Sequence, residues 1–214
     1  MNKSYVIGAS GLIGGALYSL LKSKSIDVYG TYSNNKEKEL MFFDMNKGDF
    51  SCFNHVDEGD IFYLLSAYSN PSWIAQNKAL AEELNYKSTI KFIDFLNVKK
   101  AKIIFMSSVE VFDGSKGNYS EDDKPNPLNF YGELKLRVEK YLTNECIDFT
   151  IVRTGWNVGL NKKSRCVIQL TYETLLQRNA KMAVDNFFSL SSIEDTAEGL
   201  YRACLLYTSD AADE

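Results

Sequence analysis

The sequence predicts an α/β protein built on a doubly wound parallel sheet, and three observations carry this prediction. Short apolar runs alternate along the chain with stretches in which apolar residues recur at helical spacing, the pattern of repeated βαβ units. The strand-like runs are continuously apolar, as in a parallel sheet that helices cover on both faces. A glycine-rich turn joins the first run to the first helical stretch, where open α/β sheets bind their ligands.

The predicted elements follow one another without a low-complexity linker. The first strand covers residues 4–7, and the helix after it runs through apolar positions from Leu12 to Leu21. Five more predicted strands are the short apolar runs at 26–31, 41–43, 61–65, 102–106 and 149–153. Helices are predicted over about 73–96, with an interruption, and over 128–143, while the polar stretch 114–126 is a predicted loop.

The regular alternation changes after Arg153. Helices are predicted at 167–177 and 193–203, and a short strand is predicted at 181–184. The last residues, 204–214, resemble the translation of a sequencing adapter, with a natural acidic terminus as the alternative. If the tail is an adapter, we expect the natural part of this chain to stop at Ala203, with the residues that belong beyond it missing, and we leave 204–214 out of the predicted fold.

Composition argues against several classes of partner and site. The net charge is -4, and no basic run offers a nucleic-acid surface. No apolar stretch is long enough to span a bilayer, and the chain enters its first strand without a secretory signal. The four cysteines are scattered and His55 is the single histidine, so we expect no metal site and a reduced, cytoplasmic compartment.

The glycine-rich turn has the residue types that a dinucleotide requires. Its glycines permit a tight turn, a close backbone approach to the pyrophosphate and close packing of helix on strand. The helix that follows offers free N–H groups and a positive dipole end to the phosphates. The predicted phosphate-binding residues are Gly8, Ser10, Gly11, Leu12, Ile13 and Gly14. We accordingly predict a dinucleotide-binding Rossmann domain at 1–153 and a partial substrate-binding lobe at 154–203.

A phenol and an ammonium group stand four residues apart on a predicted helix. Tyr131 and Lys135 therefore lie on the same helix face. An unperturbed tyrosine has a pKa of about 10, and a nearby ammonium lowers it. The pair can deliver a proton to a carbonyl oxygen while hydride arrives from a nicotinamide. Ser108, on the loop after the fifth strand, can hydrogen-bond the same oxygen.

The order of these motifs resembles the extended short-chain dehydrogenase/reductase family. Within that family, residues 107–114 resemble the STDYVFDG segment of dTDP-4-dehydrorhamnose reductases, and residues 127–136 resemble their PLNVYGKTKL. Residues 152–156 resemble LRTSWVY, and residues 185–197 resemble a later DQxGxPT segment. The resemblance covers nearly the whole chain up to Ala203. It implies an NAD(P)H-dependent reductase of a nucleotide-linked keto sugar.

This resemblance also implies a role for each residue of the catalytic set. Tyr131 would donate the proton, Lys135 would also hold the cofactor's ribose, and Ser108 would fix the carbonyl. The chain departs from the reductase pattern on the substrate side, where Val109 and Glu110 replace an Asp-Tyr pair. The sugar therefore stays open, and Glu110 and Arg153 are the candidate substrate-binding residues.

The end of the second strand bears on the choice of cofactor. No carboxylate stands there to hold the ribose 2′-hydroxyl of NAD. Ser33 and Lys36 are instead placed to face a 2′-phosphate, so NADP(H) is the expected cofactor and NAD(H) the alternative. The remaining predicted cofactor-binding residues are Thr31, Asp44, Ala67 and Ser107, together with Tyr131 and Lys135.

Open alternatives remain for Asp44 and for one further residue, Asn85. The family places an aspartate like Asp44 near the adenine and a small residue like Ala67 beneath the cofactor. Asp44 is equally suited to cap a helix before Asn46. Asn85 matches an asparagine of many family members, with a structural role as its alternative.

Other functions remain open beside the reductase. One is a sugar-nucleotide epimerase or dehydratase with tightly held NAD, against which the missing carboxylate after the second strand counts. Another is a regulatory binding protein, because the β subunit of methionine adenosyltransferase shares this fold and similar motifs. Many family members pair through the helices that carry the YxxxK motif, so a homodimer is also an expectation.

Overall fold

The computed structural model describes residues 2–159, 166–177 and 189–209. Its sheet has six strands, all parallel, in the order β3-β2-β1-β4-β5-β6. This confirms the predicted doubly wound α/β fold. The strands are β1 Ser4–Ile7, β2 Val28–Tyr32, β3 Met41–Phe42, β4 Ile61–Leu64, β5 Lys102–Ser108 and β6 Phe149–Thr154.

The strand order reverses between β1 and β4. The chain starts in the middle of the sheet, moves outward through β2 and β3, and then continues on the other side of β1. In open parallel sheets, a ligand binds in the crevice outside the carboxyl ends of the strands at such a point. The glycine-rich turn after β1 lies at this crevice.

Helices cover both faces of the sheet, as its apolar strands require. On one face, α1 (Leu12–Ser23) and α7 (Ile193–Ser209) pack against each other and against the strands. On the other face lie α4 (Ser88–Val98) and α5 (Phe130–Glu145). Val6, Tyr63 and Ile104 point to the first face, while their strand neighbours point to the second, because side chains alternate along a strand.

The segment between β4 and α4 is helical with interruptions, as the sequence predicts. It contains α2 (Pro71–Gln76), α3 (Lys78–Glu82) and one π-helical turn (Glu83–Lys87) that leads directly into α4. Asn70 caps α2 by accepting a hydrogen bond from the Trp73 amide. The π-helical turn contains the buried Asn85, and π-turns are frequent at functional sites.

Most predicted strands and helices end within one or two residues of their observed bounds, and two of the differences have a visible cause or contact. The second strand starts at Val28 instead of residue 26 because the chain first closes helix α1. Ser25 adopts a left-handed φ of 57°, and the Ile26 amide donates to the Leu21 carbonyl. The last helix continues past residue 203 to Ser209, and the Lys102 ammonium donates to the Cys204 carbonyl at 3.0 Å.

A small second sheet follows β6. It consists of β7 (Trp156–Val158) and β8 (Leu190–Ser192), which pair in parallel. Helix α6 (Val167–Leu175) lies between them in sequence. The strand predicted at 181–184 falls outside the described residues. Among the described helices, none has the length and apolar character needed to cross a membrane.

Candidate active site

The turn after β1 is held in shape by contacts that only glycines permit. Gly8 has a φ of 93°, a conformation that side chains with a Cβ rarely adopt. Its amide donates to Thr31 Oγ1 at 3.0 Å, so β2 anchors the turn. A Cβ on Gly14 would lie 2.2 Å from the Gly8 carbonyl oxygen. Helix α1 therefore packs closely on the turn, as the glycine spacing predicts.

The amino end of α1 offers unpaired backbone donors. Gly11 occupies the N-cap position and brings no side-chain acceptor, and the first turn of α1 carries no acidic residue. The first backbone N–H groups of a helix have no partner within the helix. Together with the helix dipole, they favour an anionic group at this position.

Six of the predicted cofactor-binding residues surround one cavity. Its volume is about 150 Å³. A second cavity of about 30 Å³ adjoins it through shared lining residues, Ser33 and Ala67 among them. The six predicted residues that line the larger cavity are Gly8, Ser10, Gly11, Thr31, Ser33 and Ala67.

These residues fit the phosphates and adenosine end of a dinucleotide. Gly14 lets α1 pack directly on the backbone of the turn, and the amino end of the helix is there without a competing carboxylate. Lys36 lies on the exposed loop after β2 and lines neither cavity. Its contact with a 2′-phosphate stays a prediction.

Asp44 caps a helix and also lies at the candidate cofactor site, the two alternatives that the sequence left open. Its carboxylate caps a short 3-10 helix, Met45–Lys47, by accepting from the Asn46 amide at 3.1 Å. Asp44 also lines the second cavity. The cap holds the turn after β3 in place at the rim of the crevice.

Asn85 fixes the chain beneath the crevice. Its side-chain oxygen accepts from the Tyr68 amide at 2.8 Å, and its side-chain nitrogen donates to the Tyr68 carbonyl at 2.7 Å. Asn85 is buried, and Tyr68 follows the cavity residue Ala67. The structural role left open for Asn85 is therefore present in the fold.

Helix α5 starts against the loop that follows β5. Asn129 caps the helix by accepting from the Gly132 amide at 2.9 Å. A Cβ on Gly132 would lie 2.0 Å from the Glu110 carbonyl oxygen. Because Gly132 has no side chain, the first turn of α5 contacts the backbone of the loop that follows Ser108.

Lys135 is almost completely buried beside Tyr131. Its ammonium donates to the Met106 carbonyl at 2.8 Å and lies 5.7 Å from the centroid of the Tyr131 ring. Burial lowers the pKa of Lys135 to about 8, and the charge of Glu139 acts in the opposite direction. The two groups of the predicted catalytic pair are therefore brought together.

The direction predicted for the Tyr131 pKa is wrong. Burial raises this pKa to about 12, and the negative charge of Glu110 adds to the increase. The Lys135 ammonium does not offset these effects, because it is bonded to a β5 carbonyl rather than to the phenol. The Tyr131 phenol is consequently protonated near neutral pH.

Ser108 ends β5 and begins the loop beside α5. Its hydroxyl oxygen accepts a hydrogen bond from the Glu110 amide at 3.2 Å. This contact uses a lone pair and leaves the hydroxyl proton free to donate. Glu110 itself accepts from the Asn129 side chain, so its carboxylate lies over the amino end of α5.

The loop after Ser108 is ordered by one carboxylate. Asp113 accepts hydrogen bonds from the side chains of Ser115, Tyr119 and Asn126. These donors hold the pKa of Asp113 well below its usual range, with the Tyr119 hydroxyl making the largest contribution. The neighbouring Phe112 ring stacks on Tyr119, with 4.2 Å between ring centroids.

Two predicted site residues are engaged by a buried acid that the sequence analysis missed. Ser107 donates its hydroxyl to Glu139. Arg153 donates to the same carboxylate through Nε at 3.1 Å and Nη2 at 2.7 Å. Contacts of Ser107 with cofactor and of Arg153 with substrate stay predictions. The available signal for Glu139 was its spacing, four residues beyond Lys135 on one helix face.

Comparison with protein families gives a match over most of the chain. Residues 2–204 match the family described as the RmlD substrate binding domain. Methionine adenosyltransferase 2 subunit beta from Xenopus laevis is 26% identical over 197 residues, which is 86% of this chain and 56% of that protein. The chain thus spans little more than half the length of this curated relative.

Solved structures of similar fold include sugar-nucleotide enzymes. A hypothetical dTDP-4-dehydrorhamnose reductase from Sulfolobus tokodaii has a TM-score of 0.81 at 25% identity, covering 95% of this chain and 72% of that one. The corresponding reductase from Bacillus anthracis, in complex with NADP, has a TM-score of 0.77 at 22% identity, with coverage of 95% and 71%. MoeE5 in complex with UDP-glucose and NAD has a TM-score of 0.77 at 20% identity, with coverage of 95% and 72%.

Proposed function

Because the chain belongs to the family of the RmlD substrate binding domain, we propose that it reduces a nucleotide-linked keto sugar with NADPH. The observation that carries this proposal is the placement of Tyr131 and Lys135. Lys135 bonds the carboxyl end of β5 and lies beside the Tyr131 ring. The adjacent Gly132 packs on the loop that follows Ser108. The carboxyl ends of the parallel strands also carry the glycine turn, so one crevice would hold cofactor and carbonyl together.

Each residue of this set has a distinct task in the proposed reaction. The nicotinamide supplies hydride to the carbonyl carbon when it is bound. The Tyr131 phenol donates its proton to the carbonyl oxygen, and its raised pKa keeps it in the acid form that this direction requires. The Ser108 hydroxyl donates a hydrogen bond to the same oxygen. The Lys135 ammonium, beside the Tyr131 ring, would hold the ribose of the bound cofactor.

The glycine turn and its surroundings would bind the cofactor. The amino end of α1 would hold the pyrophosphate, and the cavities beside Thr31, Ser33 and Asp44 would take the adenosine end. The absence of a carboxylate just after β2, within the described residues, favours NADPH over NADH. The solved relatives include complexes with NADP and with NAD. The proposed preference for NADPH therefore depends on contacts of Ser33 and Lys36 with the 2′-phosphate.

A nucleotide sugar is the proposed substrate class. The complex of MoeE5 with UDP-glucose supports it by likeness of fold. Glu110 and Arg153 are the candidate residues for reading the sugar. A cytoplasmic location, a homodimer and the assignment of 154–203 as a substrate lobe also stay predictions.

A regulatory role is the second candidate, because a methionine adenosyltransferase β subunit is among the curated relatives. The retained Ser108, Tyr131 and Lys135 favour turnover over loss of chemistry. A sugar-nucleotide epimerase remains a third candidate, and NADH preference would distinguish it from the reductase.

The experiment begins with titration of NADPH and NADH into the protein, followed by cofactor fluorescence. Oxidation of NADPH is then measured with dTDP- and UDP-linked 4-keto sugars, and Tyr131→Phe serves as the control. Tighter NADPH binding with Tyr131-dependent oxidation supports the reductase. Tighter NADH binding overturns the cofactor assignment, and binding without turnover of any keto sugar favours the regulatory role.

A further inference from the structure

Three successive turns of α5 are attached to the end of β5. Gly132, beside Tyr131, packs on the Glu110 carbonyl. One turn later, Lys135 donates to the Met106 carbonyl. One more turn later, Glu139 accepts from the Ser107 hydroxyl. Residues 131, 135 and 139 share one helix face because they are spaced by four.

Glu139 joins three elements through one buried carboxylate. Its side chain is only 4% exposed. One carboxylate oxygen accepts from Ser107 Oγ and Arg153 Nε, and the other accepts from Arg153 Nη2. Ser107 and Arg153 are register partners on β5 and β6. A buried charge persists in a fold only when it is paired and hydrogen-bonded in this way.

Glu139 also acts on the buried ammonium of Lys135. The hydrogen bond from Lys135 Nζ goes to an uncharged carbonyl, that of Met106. The carboxylate of Glu139, one turn farther along α5, is the charged group that favours the ammonium form. The charge of Glu139 therefore serves two cations, Arg153 by direct contact and Lys135 across one helical turn.

We propose that Glu139 is the positioning residue of the proton-transfer site. Its carboxylate holds the end of β5, and with it Ser108, against the helix face that carries Tyr131 and Lys135. Its negative charge keeps Lys135 in the ammonium form. This inference rests on the proposed function for the chemistry that Lys135 supports. In this role the charge of Glu139 controls the protonation of Lys135, whereas an ordinary structural ion pair would stabilise only the fold.

The other charged groups near this helix face are few in the described part of the chain. Glu110 lies beside Tyr131 on the loop after β5. On the outer side of α5, Glu82 pairs with Arg137 at 2.9 Å and Asp94 accepts from the Tyr141 hydroxyl. Glu83 pairs with Lys87 and Lys91 at the surface.

The test compares two variants that break the same ion pair from opposite sides. Glu139→Gln keeps the side-chain volume and an oxygen acceptor for Ser107 but removes the negative charge. Arg153→Met removes the positive charge, and Glu139 keeps its hydrogen bond from Ser107 and has Lys135 as the remaining nearby cation. Glu133→Gln, exposed on the first turn of the same helix, is the matched control. Circular dichroism verifies that each variant is folded.

The readout is the pH at which NADPH affinity is lost, measured by cofactor fluorescence from pH 6.5 to 9.5. This pH moves with the pKa of Lys135, whose ammonium would contact the bound cofactor. We expect it to fall by about one pH unit in Glu139→Gln and to rise in Arg153→Met. Glu133→Gln should match the wild type. The kcat of Glu139→Gln should fall about tenfold at pH 8, with the sugar-nucleotide KM within about twofold.

Shifts of the same sign in both variants, or no shift, would show that the pair serves only the fold, and they overturn the proposal. A wild-type protein that binds NADPH but reduces no keto sugar refutes the proposed reductase function and leaves the role of Glu139 to be tested. In that case the binding profiles still decide the role of Glu139. Failure of the wild type to bind either nicotinamide cofactor overturns both proposals.

Discussion

Lys135 Nζ donates a 2.8 Å hydrogen bond to the carbonyl oxygen of Met106, two residues before Ser108. This bond joins the middle of α5 to the end of β5. It holds a buried cation over the sheet without a carboxylate in direct contact. The arrangement costs the fold stability, and it places the ammonium beside Tyr131.

Replacing Lys135 by Met should stabilise the protein while it abolishes reduction. Burial lowers the pKa of Lys135 from 10.5 to about 8, which corresponds to about 3 kcal/mol of unfavourable free energy at neutral pH. Between pH 8 and 10.5 the unfolded chain binds more protons than the folded one, so wild-type stability rises with pH. Lys135→Met should therefore melt higher at pH 7 and lose this advantage near pH 10.5.

Thermal unfolding at both pH values checks this prediction. Lys140→Met, on an exposed position of the same helix, is the control and should show no such pH dependence. A lower melting temperature for Lys135→Met at pH 7 would contradict the assigned cost of burial.

Removing the Tyr131 hydroxyl should remove the general acid and leave cofactor binding nearly unchanged. We expect Tyr131→Phe to lower kcat by about 10²–10⁴-fold, with the NADPH dissociation constant within about threefold of the wild type. Tyr141→Phe is a matched control, because its hydroxyl bonds Asp94 on the far side of the same helix. Steady-state kinetics decide the matter, and a Tyr131→Phe variant with near-normal kcat would remove Tyr131 from the mechanism.

A side chain at position 132 should displace the catalytic helix. A Cβ there would lie 2.0 Å from the Glu110 carbonyl oxygen, so Gly132→Ala must shift α5 or the loop. We expect a loss of stability of roughly 1–3 kcal/mol and a loss of turnover beyond tenfold. Gly199→Ala on α7 has open space at its Cβ and should gain about 0.5–1 kcal/mol. Chemical denaturation measures both.

The phosphate turn should respond to Gly14→Ala through cofactor affinity. The added Cβ would lie 2.2 Å from the Gly8 carbonyl oxygen, so the turn must open. We expect the NADPH dissociation constant to rise at least about tenfold, because the backbone N–H groups of the turn would no longer point at the phosphates. Cofactor fluorescence gives the constant. Unchanged affinity would place the phosphates elsewhere.

The sequence predicts the sheet and the motifs because they depend on local patterns. Apolar runs mark the strands, and the glycine turn and the YxxxK pair are short segments in which residue type determines conformation. The Tyr131 pKa could not be predicted in the same way. It depends on how deeply the ring is buried and on where the Lys135 ammonium points, which are properties of the packed fold.

The hydrogen bonds of Ser107 and Arg153 to Glu139 could not be predicted from the sequence for a related reason. Both bond to Glu139, which is distant from each of them along the chain. The pairing of β5 with β6 brings these side chains together, and a spacing rule within one helix does not include the strands. Helical spacing could have added Glu139 to the predicted site, but it could not have supplied the partners of its carboxylate.

The packing of α7 on α1 imposes an order on folding. One face of the sheet, with Val6, Tyr63 and Ile104, is covered by α1 together with residues from the last helix, such as Leu200. During synthesis these apolar side chains stay partly uncovered until the residues of α7 have left the ribosome. The contacts that close this face join residues far apart in sequence, and such contacts slow folding. The nascent chain therefore exposes an apolar surface until α7 has been synthesised, and exposed surfaces of this kind make a chain prone to aggregation.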